Sequence, residues 1–182
     1  TEIYTLSLHD ALPIWKHLNL KQFGISRLDV KVGSFINNST MNFIDFKHFN
    51  GNQTNLRNIT NQSMDGTGKS SLNDFQALEY YTHSTKKSFT ELHFEHSFNG
   101  WIINKFPILR KSKLQTLCGT NILYTSEMKE YTEVYVGVKN IFKTLRVDFV
   151  SQYQKNQKIT PMLRFGFSFG NGVSVTFDDG DF

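Results

Sequence analysis

Apolar and polar residues alternate one for one through several stretches of the chain. Leu92, Phe94 and Phe98 alternate with Glu91, His93, Glu95 and Ser97. Val134, Val136 and Val138 alternate with Glu133, Tyr135, Gly137 and Lys139. Leu145, Val147 and Phe149 alternate with Arg146 and Asp148, and Leu163, Phe165, Phe167 and Phe169 with Arg164, Gly166 and Ser168. Earlier in the chain, Leu28, Val30 and Val32 alternate with Arg27, Asp29 and Lys31. A period of two sends successive side chains to opposite faces, so these are strands. One face of each is almost purely apolar, and the other carries charge, amide and glycine. Two architectures satisfy that pattern. One is a soluble sheet with a single buried face. The other is a membrane barrel with lipid outside and water inside.

The alternation predicts strands near 25–36, 88–98, 113–125, 130–139, 144–153 and 160–169, with the end of an earlier strand within 14–22. Each is close to the roughly 9–11 residues that a tilted strand needs to cross the hydrocarbon layer. Residues 37–87 break the pattern with Asn, Thr, Ser, Gln and Gly, which is loop chemistry. A structureless loop of that length is uncommon in a compact soluble domain. It is ordinary on the outer side of a membrane barrel. Its apolar pieces, Phe43 to Phe46 and Phe75 to Tyr81, are expected to fold back over the barrel rim. In the tail, 170–182, Asn171 and Gly172 suit a two-residue hairpin turn.

Composition narrows the picture a little. The chain has 182 residues, enough for one ordinary domain, with 20 Lys and Arg against 16 Asp and Glu. That excess is small and scattered, so no nucleic-acid partner is expected. The 17 Phe and 7 Tyr suit an all-β chain. No apolar run approaches the roughly 18 residues of a transmembrane helix. The lone Cys118 lies on an apolar strand face and reads as a small hydrophobe. Residues 1–14 match nothing downstream. Ser7 to Ile14 resembles a translated sequencing adapter, so the segment is set aside from the fold as a leader of non-native origin. On that reading the chain is a C-terminal fragment.

Longer runs carry a family resemblance. His96 to Lys111, Val136 to Asp148 and His48 to Thr54 resemble the C-terminal barrel of Bacteroidota outer-membrane proteins with an N-terminal carboxypeptidase-regulatory-like domain. The resemblance spans about 16–169. That family looks like a branch of the BamA/TamA-type barrels, which insert or export outer-membrane proteins. It implies an all-β, antiparallel up-and-down transmembrane β-barrel, of which about the last six strands lie here as an open curved sheet in 15–169. Residues 37–87 would be the large extracellular loop that enters the lumen. The loop motif of such barrels, Val or Ile, Arg, Gly, then Phe or Tyr, is nearest matched by Leu56 to Ile59, which lacks the glycine. The implied location is the bacterial outer membrane. The implied partners are the bilayer, the upstream barrel strands and outer-membrane protein clients. A passive channel, a surface-binding barrel and a soluble sheet remain the rival readings.

The candidate site residues follow from the two faces. Arg27, Asp29, Lys31, Glu91, His93, Glu95, Glu133, Arg146, Asp148 and Arg164 are expected in the lumen, as is Lys139. Leu92, Phe94, Val134, Val136, Val138, Val147, Phe149, Phe165 and Phe167 are expected toward lipid. The lumen charges serve either to guide a substrate and latch the loop or simply to satisfy one another as a wall. A tight turn centred near Ile141 and Phe142 would set Lys139 opposite Thr144, Gly137 opposite Arg146 and Glu133 opposite Val150. Arg146 would then anchor the long loop, with Asp148 holding its guanidinium. Gly66 to Ser70 lacks the first glycine and the flanking elements of a phosphate loop. His93 and Glu95 share a face that His96 does not, so they do not converge on a metal. No nucleophile, base and acid come together, and neither cofactor nor enzymatic activity is expected.

Overall fold

The computed structural model describes residues 9–35, 41–51, 74–98, 100–107, 109–143, 145–155 and 158–167. The chain folds as seven antiparallel strands in one open sheet, ordered as in the sequence. They are β1 (His9–Asn19), β2 (Ile25–Phe35), β3 (Phe89–Ser97), β4 (Gln115–Thr125), β5 (Lys129–Ile141), β6 (Leu145–Gln154) and β7 (Thr160–Phe167). The six strands read from the alternation are present within a few residues of their expected ends. No helix among the described residues is long and apolar enough to cross a membrane.

The seventh strand is the earlier one whose end the sequence places within 14–22, but it starts sooner than that reading allows. β1 starts at His9, inside the segment set aside, and pairs with β2 along its whole length, from His9 opposite Phe35 to Asn19 opposite Ile25. Residues 9–14 are therefore part of the sheet. Pro13 lies within β1 although proline cannot donate to a ladder. It is tolerated here because β1 is the outermost strand, with one side unpaired among the described residues.

The connections differ by end. At one end lie the long 36–88 excursion, the three-residue turn 126–128 and the 155–159 link. At the other lie the links 20–24, 98–114 and 142–144. The long excursion returns to the sheet. Lys47 and Thr85 form an isolated antiparallel bridge, and the Phe75 amide donates to the Asn50 carbonyl at 2.8 Å. Phe49, Phe75 and Leu78 from this excursion pack with Phe89, Leu123 and Tyr131 of the sheet. Ala77 packs with Leu117, Tyr135 and Val150, and Met162 lies against them. The segment thus covers one face of the sheet and does not stop at the rim. The phosphate-loop-like run Gly66 to Ser70, the Leu56 to Ile59 run and the tail lie outside the described residues.

The β5–β6 hairpin differs from its expected register. Gly137 stands opposite Asp148 and Glu133 opposite Gln152, two residues along from the pairing the sequence suggested. β5 runs on to Ile141, which moves the turn to 142–144. A bulge between Val138 and Ile141 then sets Lys139 and Asn140 against Arg146 alone. Asn140, Phe142 and Lys143 all take positive φ, at 66°, 50° and 68°. Sequence offered no glycine to mark that geometry. A shift of two preserves which face each side chain occupies, so the face assignments survive the error.

Candidate functional site

The covered face of the sheet is the charged one. Register explains its layout, because directly opposed residues share a face. Asp29, His93, Asn121 and Glu133 form one row across β2 to β5. Arg27, Glu95, Gly119, Tyr135 and Val150 form the next, and Lys31, Glu91, Leu123 and Tyr131 a third. Arg27, Asp29, Glu91, His93, Glu95, Glu133 and Asp148 are all buried.

Glu133 is the centre of the first row and is 0% exposed. Its Oε1 accepts from the backbone amides of Ala77 at 2.7 Å and Leu78 at 3.0 Å, and from the Tyr131 hydroxyl at 2.7 Å. Its Oε2 accepts from the Gln76 amide at 2.8 Å and the Asn121 side-chain amide at 2.9 Å. Five donors saturate both oxygens. Three of them are successive backbone N–H groups of the returning segment, which have no strand of their own to pair with. A buried donor left bare costs about 1–3 kcal/mol. This one carboxylate therefore fixes where 76–78 can dock.

The row continues away from Glu133. Asn121 Oδ1 lies 3.0 Å from His93 Nδ1, and His93 Nε2 lies 2.9 Å from Glu91 Oε1. Lys31 Nζ lies 3.8 Å from Glu91 and 3.3 Å from Asp29. The Phe75 ring sits 4.8 Å from the His93 ring, so the docked segment caps the polar row with an aromatic lid.

A second cluster lies one row over. Glu95 faces Arg27 at 3.5 Å and the Arg146 Nη2 at 3.1 Å, and accepts from the Tyr135 hydroxyl at 3.4 Å. The Arg146 Nε donates to both Asp148 oxygens, at 2.7 and 3.0 Å. Two glycines make this possible. A Cβ at Gly137 would collide with the Asp148 carboxylate, and one at Gly119 with the Tyr135 ring and hydroxyl. The sequence reading gave the Gly137 recess to Arg146 and the loop anchor to the same residue. The structure corrects the first: Asp148 occupies the recess. Among the described residues Arg146 bonds to Glu95 and Asp148, and Glu133 is the residue that holds 76–78. Arg164 stands opposite Asp148 in register, and Lys139 lies half-buried in the bulge.

The opposite face carries the expected apolar residues. Val134, Val136, Phe149 and Phe165 are exposed, Val136 by 57% and Phe165 by 61%. Leu92, Phe94, Val138 and Val147 are half-exposed among them. Phe167 closes β7, and its side chain lies outside the described residues. His96 stands on the open face, as its parity requires. It bonds to Ser26 Oγ at 2.7 Å and the Phe23 carbonyl at 3.1 Å, apart from His93 and Glu95. Among the described residues no three His, Cys, Asp or Glu side chains are grouped to hold a metal.

Asn121 and Tyr131 escaped the sequence reading, and Tyr135, though placed on the polar face, was not named among the candidates. The signal was present. Tyr131, Glu133 and Tyr135 share parity on β5, and Asn121 shares parity with Leu117 and Leu123 on β4. Reading tyrosine and asparagine as polar members of the inner row would have found them.

Comparison with known proteins gives one match. Residues 10–138 fit a family model described as family of unknown function (DUF5686), C-terminal domain. No curated protein and no solved structure matches the chain.

Proposed function

The chain belongs to the DUF5686 family through its C-terminal domain, and from that premise we propose that it forms part of the wall of a non-enzymatic outer-membrane β-barrel. In this reading the open face meets lipid and the covered face lines the barrel interior. The returning 74–78 segment lies in that interior and is latched there by Glu133.

One observation carries the reading: adjacent residues of β5 have the reverse of a soluble protein's burial. Glu133 is 0% exposed while its neighbour Val134 is 55% exposed. The inversion repeats along β2, β3 and β6, where Arg27, Asp29, Glu91, Glu95 and Asp148 are buried while Val32 and Phe149 are exposed. Water does not favour such an arrangement, since apolar surface is left wet and charge is desolvated. Hydrocarbon on the open face turns the same arrangement into a stable one. Unpaired strand edges cost several kcal/mol per backbone group in lipid, so β1 and β7 require further strands to pair with.

The role we favour is assembly or export of outer-membrane proteins, on the strength of the sequence resemblance to such barrels. A passive channel is the rival. The docked 74–78 segment speaks against it, because its side chains are buried against the charged row where solute would have to pass. The test of the membrane reading uses spin labels in the full-length protein in vesicles. Labels at positions 134, 136 and 149 should be relaxed by oxygen and shielded from a water-soluble nickel chelate. Preferential relaxation by the chelate would overturn lipid contact.

A further inference from the structure

The two ends of the sheet differ in charge. The links 20–24, 98–114 and 142–144 share one end and contain no Asp or Glu. They contain Lys21, Lys105, Arg110, Lys111, Lys113 and Lys143. Among the described residues none of these six makes an ion pair. The other end is mixed, and there Lys87 pairs with Glu127 at 3.9 Å.

Aromatic rings stand among the cations. The Trp101 ring lies 4.0 Å beneath Lys105 Nζ and 5.6 Å from the Phe23 ring. Phe106 and Phe142 are exposed, Phe142 by 90%. The β3–β4 link holds an open depression of about 590 Å³ lined by Asn104, Lys105, Pro107, Arg110 and Lys111. Three of its five lining residues are cations, and one is an amide that can donate.

We propose that this depression binds the phosphate of an anionic phospholipid headgroup at the membrane surface. Arg110 and Lys111 neutralise the phosphate, Lys105 adds a third charge, and the Asn104 side chain donates. A free phosphate would satisfy the same donors. The lipid is favoured because the exposed Trp101 ring lies against Lys105 and exposed Phe106 sits in the same link, between Lys105 and Pro107. Aromatic side chains of this kind settle at headgroup level with their rings against acyl chains. Juxtamembrane cations gain from an anionic surface in the same place. The proposal rests on the membrane-barrel reading.

The test is native mass spectrometry of the full-length protein released from detergent micelles, titrated with phosphatidylglycerol and with phosphatidylcholine. Phosphatidylglycerol should bind about tenfold more tightly. The double variant Arg110→Gln with Lys111→Gln should lose that preference. Lys155→Gln with Lys158→Gln, at the opposite end, should keep it, and protected amides at 76–78 would show that both variants are folded. Equal binding of the two lipids would overturn the proposal and leave the membrane reading standing. A preference that survives in the Arg110 and Lys111 variant would also overturn it. Displacement of the lipid by millimolar inorganic phosphate would overturn the lipid as the source. Binding of neither lipid, with open-face labels reporting water, would instead remove the membrane reading.

Discussion

The Glu133 carboxylate, on the middle of β5, takes the Ala77 backbone amide at 2.7 Å across 56 residues of chain. The flanking amides of Gln76 and Leu78 reach the same carboxylate. The returning segment is thereby held by its backbone at 76–78 as well as by the packing of Phe49, Phe75, Ala77 and Leu78 on the sheet.

Glu133→Ala should therefore release the segment. It strands three buried amides and the Asn121 donor, at about 1–3 kcal/mol for each donor left bare, while the Tyr131 hydroxyl keeps Gln152 Oε1 at 3.2 Å. Hydrogen exchange at 76–78 should accelerate by at least about a hundredfold, while β4 and β5 keep their protection. Glu133→Gln retains one acceptor oxygen and should give an intermediate rate. Unchanged exchange in the alanine variant would remove Glu133 as the latch.

Gly137→Ala should loosen the second cluster. The added methyl takes the place of the Asp148 carboxylate, which then has to leave Arg146. Overpacking of this kind costs about 1–3 kcal/mol. The cause is checked by a double-mutant cycle in denaturant. Gly137→Ala combined with Asp148→Ala should cost clearly less than the two single changes added together. Strict additivity would mean that the glycine matters for some other reason.

Acid should undock the returning segment through His83. Its ring is buried 5.2 Å from the Tyr131 ring; Nδ1 meets Thr82 Oγ1 at 3.1 Å, and Nε2 has no hydrogen-bond partner among the described residues. Burial lowers its pKa from the ordinary 6.5. Between that depressed value and 6.5 the undocked form binds more protons, so docking strengthens with rising pH. It is complete above 6.5 and is lost as pH falls through the docked-state value. Exchange at 74–85, corrected for intrinsic rates, should show weaker protection at pH 5.5 than at pH 7.5. His83→Gln should flatten that difference, and an unchanged pH dependence in the variant would exonerate His83.

The faces of the sheet were legible from sequence because alternation survives every local irregularity. Glu133 and Val134 were placed on opposite sides correctly without any knowledge of the turns. The register of the β5–β6 hairpin was not legible. It depends on Asn140, Phe142 and Lys143 adopting positive φ, a choice set by the bulge and its neighbours that no glycine announced. Only the end of β1 was legible, within 14–22, because its first residues fall in the adapter-like run Ser7 to Ile14 that the sequence reading sets aside. The Arg146–Asp148 pair was legible because the two stand two apart on one strand face, whereas the Glu95 partner of Arg146 depends on register across the sheet. Glu133 looked like wall because nothing in the sequence shows which backbone amides will arrive.

The open face supplies the decisive measurement on environment. Val136 lies in a row with Cys118, Phe149 and Leu163, near the middle of β5's 13 residues. Phe142, also exposed, lies in the turn at one end. If lipid covers this face, the cost of a charge must depend on depth. Val136→Arg should destabilise the reconstituted full-length protein by about 2–4 kcal/mol, and Phe142→Arg by about 0–1 kcal/mol, because arginine near an interface reaches water. Lengthening the acyl chains of the host bilayer should raise the first cost and leave the second alone. A protein layer on the same face would also penalise Val136→Arg, but that penalty would not respond to acyl-chain length. Equal costs at the two positions, or a cost at Val136 that is blind to bilayer thickness, would mean that the face is covered by something other than hydrocarbon.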